Sequence, residues 1–319
     1  MTVIGFHVSH EQLHPTEALR VARLAQDAGF DAGMCSDHVA PWSERQGESG
    51  LSWSWLGAAL AGTELSFGTV CAPGQRYHPV IVAQAIATLG AMYPGRLWVA
   101  LASGENLNEH VTGDPWPPKP ERDARLAECV QVIRALLRGE EVDHTGRVVV
   151  RQARLWTLPE TMPPLILPAL TVATARRHAT WADGLVTVNK PVAELRQMIE
   201  TYREAGGQGE IAVQVHLSWA PTEAEAEATA LDQWHTLTGP PEVAADTATT
   251  AEFDALAADV GIADVRRAVL VSSDLGELTG HLAALRDAGA DRLYLHHVGK
   301  QQDAFIEAFG EHVLPALRA

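Results

Sequence analysis

The chain has 319 residues, 46% apolar and 20% charged, the balance of a packed core with a hydrated surface. A net charge of −16 and a pI near 5.3 speak against nucleic acid and anionic membranes as partners, since both need a basic surface. Three cysteines without a CxxC pair suggest neither a disulfide framework nor a structural zinc site; no apolar run nears the ~18 residues of a membrane span, and "MTVIGFHVSH" lacks a signal pattern, so a cytoplasmic protein is expected.

"VIGFHV" (3–8) reads as a first strand, and "PTEALRVARLAQDAGF" as a helix capped by Thr16 and stopped at Gly29. "DAGMCS" (31–36) is a second strand, "WSWLGAALAGT" a short helix and "LSFGTVCAP" (65–73) a third strand. Cys35 and Cys71 sit in apolar runs as core residues. The apolar helix "HPVIVAQAIATLGAMYPG" precedes a fourth strand (96–104), and "ERDARLAECVQVIRALLRG" is an amphipathic helix. "VDHTGRVVVRQARLW" looks like a hairpin turning at Thr145-Gly146. Strands five (163–170), six (183–189) and seven (211–220) are each followed by a helix, at 172–181, 191–205 and 222–235. Residues 237–265 contain short helical pieces. "AVLVSSD" leads into helix 275–288, an eighth strand covers 291–299, and a terminal helix follows.

Eight apolar strands alternating with helices read as parallel strands covered on both faces. The expected fold is one (β/α)8 barrel over 1–319, with insertions near 106–121, 140–158 and 237–265. A doubly wound sheet should show GxGxxG after its first strand, and "HVSHEQLHP" has none.

A barrel carries its active site at the C-terminal ends of its strands. Asp37 and His38 of "MCSDHVAPW" lie at the end of strand two, and His7 and His10 follow strand one. "ASGENLNE" follows strand four, Pro168 to Thr171 strand five, Thr187 to Lys190 strand six, and His296-His297 closes strand eight. Glu105 of "SGENLNEH" suits proton transfer, or a helix start where it meets the dipole. His38 suits an acid/base or a hydrogen-bonded structural role. Trp42 suits a pocket wall or a ring filling the barrel mouth. Trp53 and Trp55, two apart, cannot share a helical face, so at most one lines the pocket. His7, His10 and His14, or His296 and His297, could ligate a metal, but no HExxH spacing occurs and no metal is expected. No GxSxG elbow points to a serine hydrolase.

"SHEQLHP", "SDHVAPW", "SWSWLGAA", "GTVCAPGQRYHPVIVAQAIATL", "SGENLNE", "WADGLVT" and "FIEAFGEHVLP" span nearly the whole chain. Together they resemble the luciferase-like flavin superfamily. Within it they are most similar to the F420-dependent glucose-6-phosphate dehydrogenase group and the related non-F420 flavin oxidoreductases. The resemblance implies a (β/α)8 barrel, in a homodimer, that transfers hydride between a bound flavin and a small organic substrate. It implies His38 and Glu105 as catalytic acid/base groups. It places Asp37, Thr69, Val70, Ser103, Gly104, Asn108, Ala169, Leu170, Thr171 and Thr174 at the cofactor, with a non-prolyl cis peptide at Thr69-Val70. Trp42, His7, Thr187 and Lys190 would line the substrate pocket.

Where the family's phosphate turn has Gly-Gly, this chain has Leu170 and Thr171, and its sugar-phosphate clamp is incomplete. Only Arg176 and Arg177 lie near that turn in sequence, so FMN is preferred as cofactor, with coenzyme F420 the alternative. An F420-dependent sugar-phosphate-type dehydrogenase, a flavin monooxygenase and a catalytically silent flavin-binding barrel are the competing readings.

Overall fold

The computed structural model describes residues 2–318. In chain order the strands are β1 (Val3–Val8), β2 (Ala32–Cys35), β3 (Ser66–Cys71), β4 (Leu97–Leu101), β5 (Val142–Thr145), β6 (Val149–Ala153), β7 (Leu165–Pro168), β8 (Gly184–Val188), β9 (Glu210–Ser218), β10 (Leu270–Val271) and β11 (Arg292–His297). Eight of them pair in parallel in the order β1-β2-β3-β4-β7-β8-β9-β11, and β11 pairs back on β1. This is a closed (β/α)8 barrel, as the alternating pattern predicts. The two-residue β10, which the sequence reading leaves as a connection, pairs with Leu217 and Ser218 at the free end of β9.

The connections at residues 106–121, 140–158 and 237–265 take different forms. Residues 106–121 hold the short helix Asn106–Glu109 and a 3-10 turn. The hairpin β5-β6 is antiparallel and stands apart from the barrel sheet. Residues 237–265 hold the helices Pro241–Asp246, Thr250–Leu256 and Ile262–Val265. The second of these is fixed by a capping box, Thr249 with Glu252. One cap differs from expectation. His14, not Thr16, caps the first helix, Pro15–Asp27, because proline's fixed φ suits the first helical position.

Side chains alternate across each strand. Ile4, Phe6 and Val8 of β1 face the helices within the main core cluster, which leaves Val3, Gly5 and His7 toward the barrel axis. Inside the barrel, Ala32, Met34, Trp98, Ala100, Ile166, Val186, Ala212 and Tyr294 form a second apolar layer. Trp98 donates its indole N–H to Tyr294 Oη at 3.0 Å. Both rings fit because glycine faces them: a Cβ on Gly5 would fall against Tyr294, and one on Gly68 inside the Trp98 ring. All three cysteines are free and buried.

The Trp98–Tyr294 plug fills the barrel below the strand ends. Gly68→Ala should therefore displace a hydrogen-bonded ring and cost about 1–3 kcal/mol by overpacking. Urea unfolding measures this, and an unchanged midpoint would contradict the packing described.

Candidate active site

The C-terminal end of β2 turns sharply, and its side chains meet three other elements. Asp37 is buried, and its carboxylate is fully engaged. Oδ1 accepts from Ser52 Oγ at 2.8 Å and from Tyr77 Oη at 3.1 Å. Oδ2 accepts from Arg76 at 3.1 Å, and Arg76 also donates to the Asp37 carbonyl at 3.0 Å. The Arg76 and Asp37 side chains are 10% and 0% exposed, so water screens this pair little. The Arg76 backbone N–H donates to Glu109 at 2.6 Å, tying the β3 loop to the helix Asn106–Glu109.

His38 stands beside this anchor. Its Nδ1 lies 3.3 Å from the Asn108 amide nitrogen, a donor, so Nδ1 is the acceptor and the neutral ring carries its proton on Nε2. Asn108 is itself oriented by the Val39 N–H, which donates to Oδ1 at 2.9 Å. His38 Nε2 faces two carboxylates, Glu11 Oε1 at 3.7 Å and Glu105 Oε2 at 3.8 Å. Both distances exceed hydrogen-bond length, so neither carboxylate holds the Nε2 proton directly. Trp42 packs edge-on to His38, ring centroids 4.7 Å apart, and Phe253 packs against Trp42 at 5.1 Å.

The two carboxylates differ in environment. Burial pushes the Glu11 carboxyl up, but His38 and hydroxyl donation from Ser36 and Ser9, each at 2.7 Å, outweigh it and hold the pKa below the ordinary glutamate range. Burial raises the Glu105 pKa, with His38 opposing, although 34% of its side chain is open to the mouth. Glu105 N-caps the short helix but makes no side-chain cap bond, so its carboxylate is free of the helix-starting role. Gly104 makes the turn before it at φ 88°, a conformation that side chains strain to adopt. Ser103 and Gly104 are half-buried at this turn. Two neighbouring carboxyl groups with pKa values pushed apart form the pattern of an acid/base site: Glu11 stays ionised while Glu105 holds a proton to higher pH.

The turn after β7 has its own arrangement. Thr171 caps the helix Val172–His178, its hydroxyl accepting from the Thr174 N–H at 3.2 Å and lying 3.0 Å from Thr174 Oγ1. Leu170 is 46% exposed. Lys190, from the end of β8, donates to the Leu170 carbonyl at 3.1 Å, and burial lowers its pKa. Arg177 is instead paired with Asp123 at 2.6 Å. The cation beside this turn thus comes from twenty residues away in sequence.

The structure brings His38, Glu105, Asp37, Asn108 and Trp42 together, and turns Val70 and His7 toward the barrel axis. Four expectations are corrected. Thr187 follows Val186, an interior residue, so its side chain points to the helix layer and away from the substrate pocket. For the same reason the Thr69 side chain lies outside the barrel beside Cys35, and Ala169 packs with Leu167 and Leu185, so neither side chain faces the barrel axis. No cis peptide bond occurs among the described residues. The Thr69–Val70 bond keeps the lower-energy trans form, and β3 stays in register with β4 through Cys71. Trp55 belongs to the core, edge-on to Phe67 at 5.5 Å.

Glu11 escaped the sequence reading as a site residue. Its signal was present: a carboxylate between histidine and glutamine just past an apolar strand has to find partners if it is buried. Asp37→Ala should strand Arg76 in the interior and cost about 3–5 kcal/mol. Chemical denaturation of Asp37→Ala, Arg76→Met and the double variant would measure it; additive losses would deny the coupling.

A family model for luciferase-like monooxygenases matches residues 1–303. Proteins named F420-dependent glucose-6-phosphate dehydrogenase from Beutenbergia cavernae and Nocardia farcinica are 34% and 31% identical. The alignments cover 100% and 99% of this chain and 98% of each relative. The solved structure of an F420-dependent secondary alcohol dehydrogenase in complex with an F420-acetone adduct superposes with a TM-score of 0.91 at 30% identity, covering 100% of this chain and 99% of that one. The coenzyme F420 dependent tetrahydromethanopterin reductase from Methanopyrus kandleri, 19% identical with a TM-score of 0.78 over 99% of both chains, shares the fold.

Proposed function

Because the chain belongs to the luciferase-like monooxygenase family, we propose that it is an F420-dependent oxidoreductase acting on a small hydroxyl- or carbonyl-bearing molecule. The observation that carries this reading is His38 Nε2 between an ionised Glu11 and a protonatable Glu105 at the barrel mouth. F420 supplies a two-electron hydride acceptor or donor when bound. Val70, Asn108, Ser103 and Gly104 would hold its ring, and the β7 turn from Leu170 to Thr174 would hold its phosphate.

The residues present fit such a group. The Val172 and Ala173 N–H groups open a helix, which favours an anion, and Lys190 brings a positive charge to the Leu170 carbonyl. From the sequence, the preference for FMN rests on sparse basic residues near this turn. Lys190 weakens that ground, and the relatives' named dependence tips the reading to F420.

His38 exchanges a proton with the substrate oxygen through Nε2, the nitrogen left free of hydrogen bonds. Asn108 holds the ring by donating to Nδ1, which keeps the ring's proton on Nε2, toward Glu11 and Glu105. Glu105, with its raised pKa, holds the proton that restores Nε2–H once His38 has given its own to a carbonyl oxygen, and takes it back when the reaction runs the other way. Trp42 and Phe253 exclude water on one side.

Titrating apoprotein with F420 and with FMN tests the cofactor: F420 should bind at least tenfold more tightly, and tighter FMN binding would make this an FMN enzyme. With the preferred cofactor, His38→Ala should lower turnover by about 10²-fold or more with cofactor affinity little changed. If protonated Glu105 is the working form, activity should fall as pH rises through its elevated pKa, and Glu105→Gln should abolish that limb. Equal turnover in the histidine variant, or an unchanged pH profile in the glutamine variant, would remove that residue from the mechanism.

A further inference from the structure

Just above the Trp98–Tyr294 plug, the next inward positions carry polar side chains that the proton chemistry at His38 does not use. His7 comes from β1, Gln214 and His216 from β9, and His296 from β11. Their rings form one stack: His7 lies on His296 at 4.4 Å, and His216 meets His296 edge-on at 5.4 Å. Trp234 walls both, its ring 4.7 Å from His216 and 4.9 Å from His296. Gln214 and His216 are only partly buried, so the stack forms the floor of the mouth.

Hydrogen bonds assign the protonation of this floor. Gln12 donates its amide N–H to Gln233 Oε1 at 3.1 Å, which leaves Gln12 Oε1 to accept from His296 Nε2 at 3.0 Å. The Gln214 amide nitrogen donates to His296 Nδ1 at 3.4 Å and to His216 Nε2 at 3.2 Å. Each of these imidazoles thus has one nitrogen fixed as an acceptor and is uncharged. Burial acts in the same direction, lowering the pKa of His7 to about 3 and of His216 to about 4. His7 Nδ1 is buried without a hydrogen-bond partner.

Among the described residues no arginine or lysine contacts this floor. Arg76 is committed to Asp37, Arg122 to Asp246 at 3.0 Å, and Lys190 to the β7 turn. A phosphate or carboxylate set on the floor would lose its hydration without gaining an ion pair. A hydroxyl or carbonyl group can exchange hydrogen bonds with neutral imidazole and amide at little cost.

We propose that the floor of His7, Gln214, His216 and His296 determines specificity, admitting uncharged hydroxyl- or carbonyl-bearing substrates and rejecting phosphorylated or carboxylated ones. This rests on the oxidoreductase reading only in taking the mouth as the substrate site.

The test uses apoprotein and reads tryptophan fluorescence, since Trp234 touches the floor. The probes are matched pairs: cyclohexanol and cyclohexanone against cyclohexyl phosphate and cyclohexanecarboxylate, with inorganic phosphate alone. The uncharged probes should give saturable changes at concentrations at least tenfold below those of the anions. Gln214→Leu should weaken them about tenfold, the loss of a typical hydrogen bond to a buried partner. Gln214→Lys, which adds a cation, should reverse the preference. Anionic probes binding the wild type as tightly as their uncharged counterparts, or no saturable binding of either uncharged probe, would overturn the proposal. F420 binding is followed separately by its absorbance. Its failure would sink the cofactor reading and leave the apoprotein result standing.

Discussion

The Asp37 carboxylate is the constraint on which the mouth of this barrel depends. It is an anion out of contact with water, and two elements satisfy it: the helix Ser52–Gly62 through Ser52, and the loop after β3 through Arg76 and Tyr77. Its own strand end supplies the carboxylate. A buried pair of this kind adds little net stability over apolar packing, but losing one partner is costly. That asymmetry locks the β2 and β3 loops into one arrangement. His38 is the next residue in the chain, so its position follows from the lock.

Above the lock, the insertions close over the mouth by converging on one another. Thr250 donates to the Pro41 carbonyl at 2.8 Å, and Ser43 donates to Asp254 at 2.6 Å, which binds the segment after residue 237 to the β2 loop. Asp246 accepts from Trp116 at 2.9 Å and pairs with Arg122, while Asn106 donates to its carbonyl at 3.0 Å. Trp42 is held at 8% exposure beneath this cover. The resulting low-dielectric mouth separates the behaviour of Glu11 and Glu105. Glu11 has a histidine and two hydroxyl donors and stays ionised, and Glu105 has weaker compensation and favours its proton.

The barrel interior is layered by chemistry as well as by size. Two glycines admit the Trp98–Tyr294 plug, and one period-two step further along β1, β9 and β11 the inward positions change from apolar to imidazole and amide. Polar groups at that depth are tolerable because each glutamine bridges two partners. The mouth therefore has an ionisable wall at His38 and an uncharged floor at His296.

The sequence alone carried the eight βα units, the barrel they build and the strand-end positions of Asp37, His38 and Glu105, because period-two and period-3.6 patterns and strand-end polarity are local properties, whereas Asn108 came only through the family resemblance. Tertiary structure decided the rest. Whether Thr187 or Val188 faces the axis depends on register, and one residue inverts the answer. Lys190 reaching Leu170, and Glu11 reaching His38, are contacts between neighbouring strand ends that no local pattern encodes. The charge state of the histidines was equally out of reach. His7, His216 and His296 are far apart along the chain, and only closure of β11 against β1 and β9 stacks them, dries them and leaves Gln12 and Gln214 to fix their protons.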